Sequence, residues 1–229
     1  MNTYLTKNYM NLLDLWRCYG AKEQNGLWFS TGWPNRVWHD SLSAESTLRS
    51  LQQNQLNSKQ QLVLRTAPEK GPKGLQADVS LTLMHLMLSQ QHQELAEGTD
   101  LELLDSNDEA GIGAFMRMCS EGFGYPMEVA PLQRAAHADG VKLGFLRVHG
   151  ERVATVLLYQ QGTTIGVFQV AVPAAFRGKG YATEVMLHCI QWAQEQGAEV
   201  MTLQASEMGL NLYRRLGFQE TGTITFWRK

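Results

Sequence analysis

A basic bend, RGKG at residues 177–180, separates the apolar run VFQVAV (167–172) from the amphipathic segment YATEVMLHCI (181–190). If the first segment is a strand and the second a helix, the helix begins at the bend. Its first N–H groups then have no partner within the helix. They also carry the positive end of the helix dipole. Gly178 and Gly180 lack a Cβ, so a ligand can come close to the backbone, and Arg177 and Lys179 add positive charge. These properties together suit a phosphate or pyrophosphate group. An ordinary basic surface turn uses the same residues. The bend lacks the G-x-x-x-x-G-K-[ST] of a nucleotide-binding P-loop, and no G-x-G-x-x-G lies between a strand and a helix, which argues against a dinucleotide fold.

The elements needed to hold this loop can be read on either side of it. Downstream, Ala182, Val185, Met186, Cys189, Ile190 and Ala193 form one apolar stripe, which predicts a helix over about 179–196 stopped by Gly197. EVMTLQA (199–205) reads as a buried strand. SEMGLNLYRRLG (206–217) reads as a helix that Ser206 can cap and Gly217 can end. FQETGTITFWRK (218–229) reads as two short strands. Upstream, strands are expected at 141–149, 152–160 and 163–172, turning at Gly150–Glu151 and Gln161–Gly162. Helices are expected over 106–123, capped by Ser106 or Asn107, and over 127–138. LELL from residue 101 is a short strand. A polar stretch, SQQHQELAEGTD (89–100), divides this region from the first part of the chain.

The first part predicts an opening helix with Tyr9, Leu12, Leu13, Trp16 and Tyr19 on one face. Strand-like runs follow over 26–40, bent at Gly32 and Pro34, then a polar helix over 43–57. QQLVLRTA is a strand and EKGPKG (69–74) a loop; in the run from Ala77 to Leu88, Val79, Leu81 and Leu83 alternate as a strand does, which favours a strand over a helix in its second part. Four of the six tryptophans, Trp16, Trp28, Trp33 and Trp38, fall here. They form either a local core or an aromatic wall of a binding site. The sequence thus predicts an α/β protein with a mixed sheet: a smaller α/β domain over 1–97 and a larger one over 98–229.

The larger domain resembles the Gcn5-related N-acetyltransferases. RGKGYA, Arg177–Ala182, is similar to that family's R/Q-x-x-G-x-G/A signature. Val172 lies five residues before the arginine, as in the common V-x-P-x-x-R form, with Pro173 one position early. LYRRLGF, Leu212–Phe218, looks like the second signature, L-Y-x-x-x-G-F, at the right distance and with a helix and a strand between. The resemblance covers about 100–229 and implies the acyl-CoA N-acyltransferase fold. The first part lacks the signature; it reads either as a degenerate half of the same kind or as one wall of the acceptor site.

The resemblance implies acetyl-CoA, or another acyl-CoA, as cosubstrate. The backbone N–H groups of Gly178, Lys179, Gly180, Tyr181, Ala182 and Thr183 would hold its pyrophosphate, with Arg177 nearby. Val170, Ala171 and Val172 would splay from the next strand and offer backbone groups to the pantetheine, as a sheet edge receives an added strand. Ser206 would cap its helix or touch the cofactor, and Gly209 would leave room for the CoA arm or for helix packing. Tyr213 would be the general acid. A thiolate leaves whose conjugate acid has a pKa of about 8.5 by analogy with cysteine, and a tyrosine with pKa about 10 is protonated at neutral pH. Relatives often carry a carboxylate on the central strands, whereas here only Gln169 stands there. Glu121, Glu128, His137 and His149 are the remaining titratable candidates for a base, and none is selected by the sequence.

Composition bounds the rest. A net charge of −2 on 229 residues argues against nucleic-acid binding by bulk electrostatics. No apolar run approaches the roughly 20 residues of a membrane span, and the N-terminus is not a signal peptide. Cys18, Cys119 and Cys189 match no zinc spacing, and His85 and His92 have no carboxylate or cysteine at metal spacing. The expectation is a cytoplasmic N-acetyltransferase without a metal, acting on a primary amine of a small molecule by direct attack in a ternary complex. The alternative is a non-catalytic acyl-CoA-binding sensor or interaction module on the same fold. Oligomeric state is left open.

Overall fold

The computed structural model describes residues 3–88 and 94–229; residues 89–93 of the expected linker, with His92, lie outside them. In chain order the elements are α1 (Thr3–Cys18), β1 (Lys22–Gln24), β2 (Leu27–Phe29), β3 (Arg36–Trp38), α2 (Ala44–Leu51), β4 (Gln61–Leu64), β5 (Gln76–Met87), β6 (Thr99–Leu103), α3 (Glu109–Phe123), α4 (Val129–Ala136), β7 (Val141–Val148), β8 (Glu151–Gln161), β9 (Thr164–Ala171), α5 (Tyr181–Glu195), β10 (Val200–Ala205), α6 (Glu207–Arg215) and β11 (Gln219–Arg228). The chain forms two compact units: Met1–His85 with Gln204–Lys229, and Leu86–Leu203. The compact units therefore do not follow the sequential division at 97/98. The last 26 residues, with α6 and β11, pack with the first part of the chain.

In the first unit the strands run β1-β2-β3-β4-β11-β5. β11 lies antiparallel to both β4 and β5, and β3 is parallel to β4. The expected two C-terminal strands are one strand. Pairing with β5 carries it past Gly222, where the register shifts, and β4 joins on the other side from Thr225. All five residues of the predicted α1 face are buried. Trp16 and Trp28 both pack on Trp38, with centroids 5.2 and 6.2 Å away, and Trp33 packs on Tyr19 at 5.2 Å. Trp16, Trp33 and Trp38 are buried, so most of the cluster is core of this unit. Trp28 is half-buried, with Arg17 over its ring at 4.6 Å and its indole N–H on Asp40 at 3.1 Å.

In the second unit the strands run β10-β9-β8-β7-β6. β6 to β9 form an antiparallel meander, and β10 is parallel to β9. The turns fall one residue from the expected positions. His149 and Gly150 both take positive φ, as a two-residue hairpin requires, and Gly162–Thr163 form the other turn. α5 buries Val185, Met186, Cys189, Ile190 and Ala193, and α3 buries Ile112, Phe115 and Cys119. The cap of α3 is Asp108, whose carboxylate accepts the Gly111 N–H at 2.8 Å; neither Ser106 nor Asn107 caps it.

Candidate functional site

β9 is paired on both sides only over its first half. Its parallel ladder with β10 joins Thr164, Ile165 and Gly166 to Val200, Met201 and Thr202, and ends there. On the other side, Phe168 faces Leu157 and Ala171 faces Thr155, so Gln169 and Val170 stand together opposite Val156. This is a β-bulge. Gln169 takes φ +53, a left-handed conformation that costs a non-glycine residue on the order of 1 kcal/mol. The ladder with β10 has thus ended before the expected cofactor-binding residues Val170, Ala171 and Val172. Their backbone groups on the β10 side have no ladder partner, which is the edge an extended polar ligand needs.

Beyond β9 the chain makes a short 3-10 turn at Ala174–Phe176 and enters α5 through the bend. Gly178 and Gly180 have φ +77 and +82, and a Cβ at either would meet no atom within 4 Å. The glycines are therefore required by backbone conformation, and the space over them is open. The amides of Gly178, Lys179, Gly180, Tyr181 and Ala182 donate to no described residue, and α5 has no side-chain cap. Thr183, also in the expected set, donates its N–H to the Gly180 carbonyl at 2.9 Å. Five consecutive donors at a helix N-terminus, with Lys179 exposed beside them, suit a pyrophosphate. Glu184, in the first turn of α5, accepts the Ala96 N–H at 2.8 Å and lies 3.1 Å from the Thr99 hydroxyl oxygen, so its carboxylate is engaged with the β6 side.

Arg177 is anchored. Its Nε donates to the Val172 carbonyl at 3.1 Å and its Nη2 to the Gly122 carbonyl at 2.7 Å. It ties the loop to the end of β9 and to the last turn of α3. Glu121 and the exposed, stacked rings of Phe123 and Tyr125 flank that point in sequence. Glu128 precedes α4 without capping it. His137 closes α4 beside the start of β7, at the end of the sheet away from the loop. His149 forms the β7–β8 turn, its ring against Gly98.

Beneath the bulge lies a buried polar chain that the sequence reading missed. Thr155 donates its hydroxyl to the Gln169 carbonyl at 2.8 Å, and the Cys119 sulfur lies 3.2 Å from that hydroxyl. Burial pushes the Cys119 thiol up to about 12, so it stays protonated and can donate. No local signal marks these residues, because Cys119 and Thr155 lie 50 and 14 positions from Gln169.

In the first unit, Ser206 caps α6, accepting the Gly209 N–H at 3.4 Å. The space over Gly209 is taken by the ring of Tyr213; a Cβ there would lie 3.0 Å from its Cε2. Tyr213 is half-buried and meets Phe218 edge-on at 5.9 Å. Among the described residues no group of three or more His, Cys, Asp or Glu could hold a metal, and no helix is long and apolar enough to cross a membrane.

Residues 114–218 match the acetyltransferase (GNAT) family. No curated protein matches the chain. Among solved structures it is similar to a GCN5-related N-acetyltransferase from Kribbella flavida, with a TM-score of 0.69 at 16% identity over 100% of this chain and 96% of that one. It is also similar to a GNAT-family protein from Novosphingobium aromaticivorans, with a TM-score of 0.64 at 17% identity over 100% and 99% of the two chains. At such identities the likeness speaks for the fold, and it includes the first 97 residues. The region from Ala114 to Phe218 holds the bend, the parted strand and both signatures, and the chain thus carries an acetyltransferase domain of the GNAT family.

Proposed function

We propose that the protein is an acetyl-CoA-dependent N-acetyltransferase that acts on a primary amine of a small molecule by direct attack. The observation that carries this reading is the continuity of the parted β9 edge with the five unpartnered amides of residues 178–182. An extended ligand with an anionic group at one end fits such a surface, and the open space over Gly178 and Gly180 admits it. Bound acetyl-CoA supplies the thioester whose acetyl group the amine takes. The amides at the start of α5 hold the pyrophosphate, and Val170, Ala171 and Val172 pair with the pantetheine. A backbone N–H of that strand polarises the thioester carbonyl. Tyr213 gives a proton to the leaving thiolate. β9 carries no carboxylate, so the amine loses its proton to solvent or arrives neutral.

Calorimetric titration with acetyl-CoA tests the reading. The wild-type protein should bind, and Gly180→Glu, which places a negative charge among the five amides, should not. Failure of the wild type to bind would overturn it. Thiol release with a panel of amines then follows, and Tyr213→Phe should lower turnover by about 10²–10⁴-fold with little change in acetyl-CoA affinity. The second reading, a binding module without catalysis, is favoured by the single observation that Gln169 stands where a carboxylate would act. Tight acetyl-CoA binding without thiol release to any amine would select it.

A further inference from the structure

The bulge at Gln169 is held by a specific pair of buried side chains. Thr155 is fully buried, and its one hydroxyl proton goes to the Gln169 carbonyl at 2.8 Å. Its oxygen can then accept from Cys119, also fully buried, whose sulfur is 3.2 Å away. The order Cys119 S–H to Thr155 O–H to Gln169 C=O follows from the single proton each group has to give. In a planar trans peptide the C=O of one residue and the N–H of the next point in opposite directions. The Gln169 carbonyl points to the Thr155 hydroxyl, so the Val170 N–H points away from that hydroxyl, at a place where the β9–β10 ladder has already ended. Val170 is paired in neither ladder.

We infer that Thr155, backed by Cys119, is a positioning residue for acetyl transfer: it fixes the Gln169–Val170 peptide so that the Val170 N–H meets the thioester carbonyl. This rests on the acetyl-CoA reading above. Neither side chain needs to touch the ligand. The hydroxyl acts by denying the peptide its alternative orientation, because a flipped peptide would leave the Gln169 carbonyl turned outward and the Thr155 proton without its acceptor. A bulge residue with φ +53 that is not glycine needs such a lock to persist.

The test uses acetyl-CoA labelled with carbon-13 at the carbonyl, CoA, and the full chain. Difference infrared spectra of the wild type should show the bound thioester carbonyl stretch moved to lower frequency. Thr155→Val keeps the shape and removes the hydroxyl. It should lose most of that displacement and weaken acetyl-CoA about tenfold relative to CoA, the size of one lost hydrogen bond. Thr155→Ser should restore both, and CoA affinity should stay constant throughout. A purely packing role predicts that Thr155→Val behaves like the wild type and Thr155→Ser does not; that result overturns the inference. If Thr155→Val loses its cooperative melt, Cys119→Ala decides: a partial loss of the displacement supports the inference, an unchanged spectrum overturns it. A wild type that binds acetyl-CoA without any carbonyl displacement overturns this inference alone. A wild type that binds neither acetyl-CoA nor CoA removes the acetyl-CoA reading and this inference with it.

Discussion

Arg177 donates through Nη2 to the carbonyl of Gly122, 55 residues earlier in the chain, at 2.7 Å. Its Nε meets the Val172 carbonyl at 3.1 Å, so one guanidinium joins α3, the end of β9 and the loop. The side chain expected near the pyrophosphate is thus also a brace between these segments. A brace needs the planar fork of arginine, whereas an anion needs only a charge. Arg177→Lys should therefore behave like Arg177→Ala, each weakening acetyl-CoA about tenfold. Calorimetry at two salt concentrations checks this. If lysine restores affinity in low salt, the charge matters and the bridge does not.

Gly122 and Gly113 lie on the same helix, and alanine should act with opposite sign at the two. A Cβ on Gly122 would stand 2.8 Å from the Ala171 Cβ and 3.3 Å from the Val172 nitrogen, and the strand cannot move aside cheaply. Gly122→Ala should destabilise by about 1–3 kcal/mol and weaken acetyl-CoA binding, because it pushes on the edge proposed to bind it. On Gly113 the nearest atom is the flexible end of Arg117 at 3.3 Å. There alanine should gain about 0.5–1 kcal/mol from helix propensity. Urea denaturation of the two variants measures both signs.

The cap of α3 separates what the sequence shows from what it hides. The run SND offers three capping residues in a row, and propensity cannot choose among them. The choice falls to Asp108 because a turn beginning at Asp105, which accepts the Asn107 N–H at 2.8 Å, sets the phase. Asp108→Ala should cost about 1 kcal/mol, and Ser106→Ala and Asn107→Ala much less, by thermal denaturation. The same division holds for the site. The RGKG bend was legible because its chemistry is local: glycines at positive φ and a helix start. The bulge was not, because Gln169 alone gives no reason for φ +53; the reason lies in Thr155 and Cys119. The grouping of β11 with the first part of the chain was likewise hidden. It is decided by pairing with β4 and β5, more than 100 residues away.

The acid side of the stability curve should carry the signature of a histidine beside the loop helix. His188, on α5, is 8% exposed. Its Nε2 lies 2.9 Å from the Thr99 hydroxyl, and Thr99 gives its own proton to the Ala96 carbonyl at 2.6 Å, so the ring donates. Burial lowers its pKa below the usual 6.5; Glu184 at 3.5 Å and Asp100, itself paired with Arg147, oppose this without reversing it. The unfolded chain therefore takes up this proton first as the pH falls through 6.5. The stability that neutral His188 provides is complete above that pH and is lost below it, toward the lower folded pKa. His188→Gln removes the titration, and denaturation midpoints between pH 7.5 and 5 should then fall less steeply, by a fraction of one proton. A slope remains, because His85, stacked on Tyr4 at 4.2 Å in the first unit, is also lowered by burial. Glu102 does not disturb this window. The Arg152 side chain holds its carboxyl below 4.5, so its contribution is lost only at more acid pH. An unchanged slope in His188→Gln would mean that the folded protein protonates this ring as readily as the unfolded chain does.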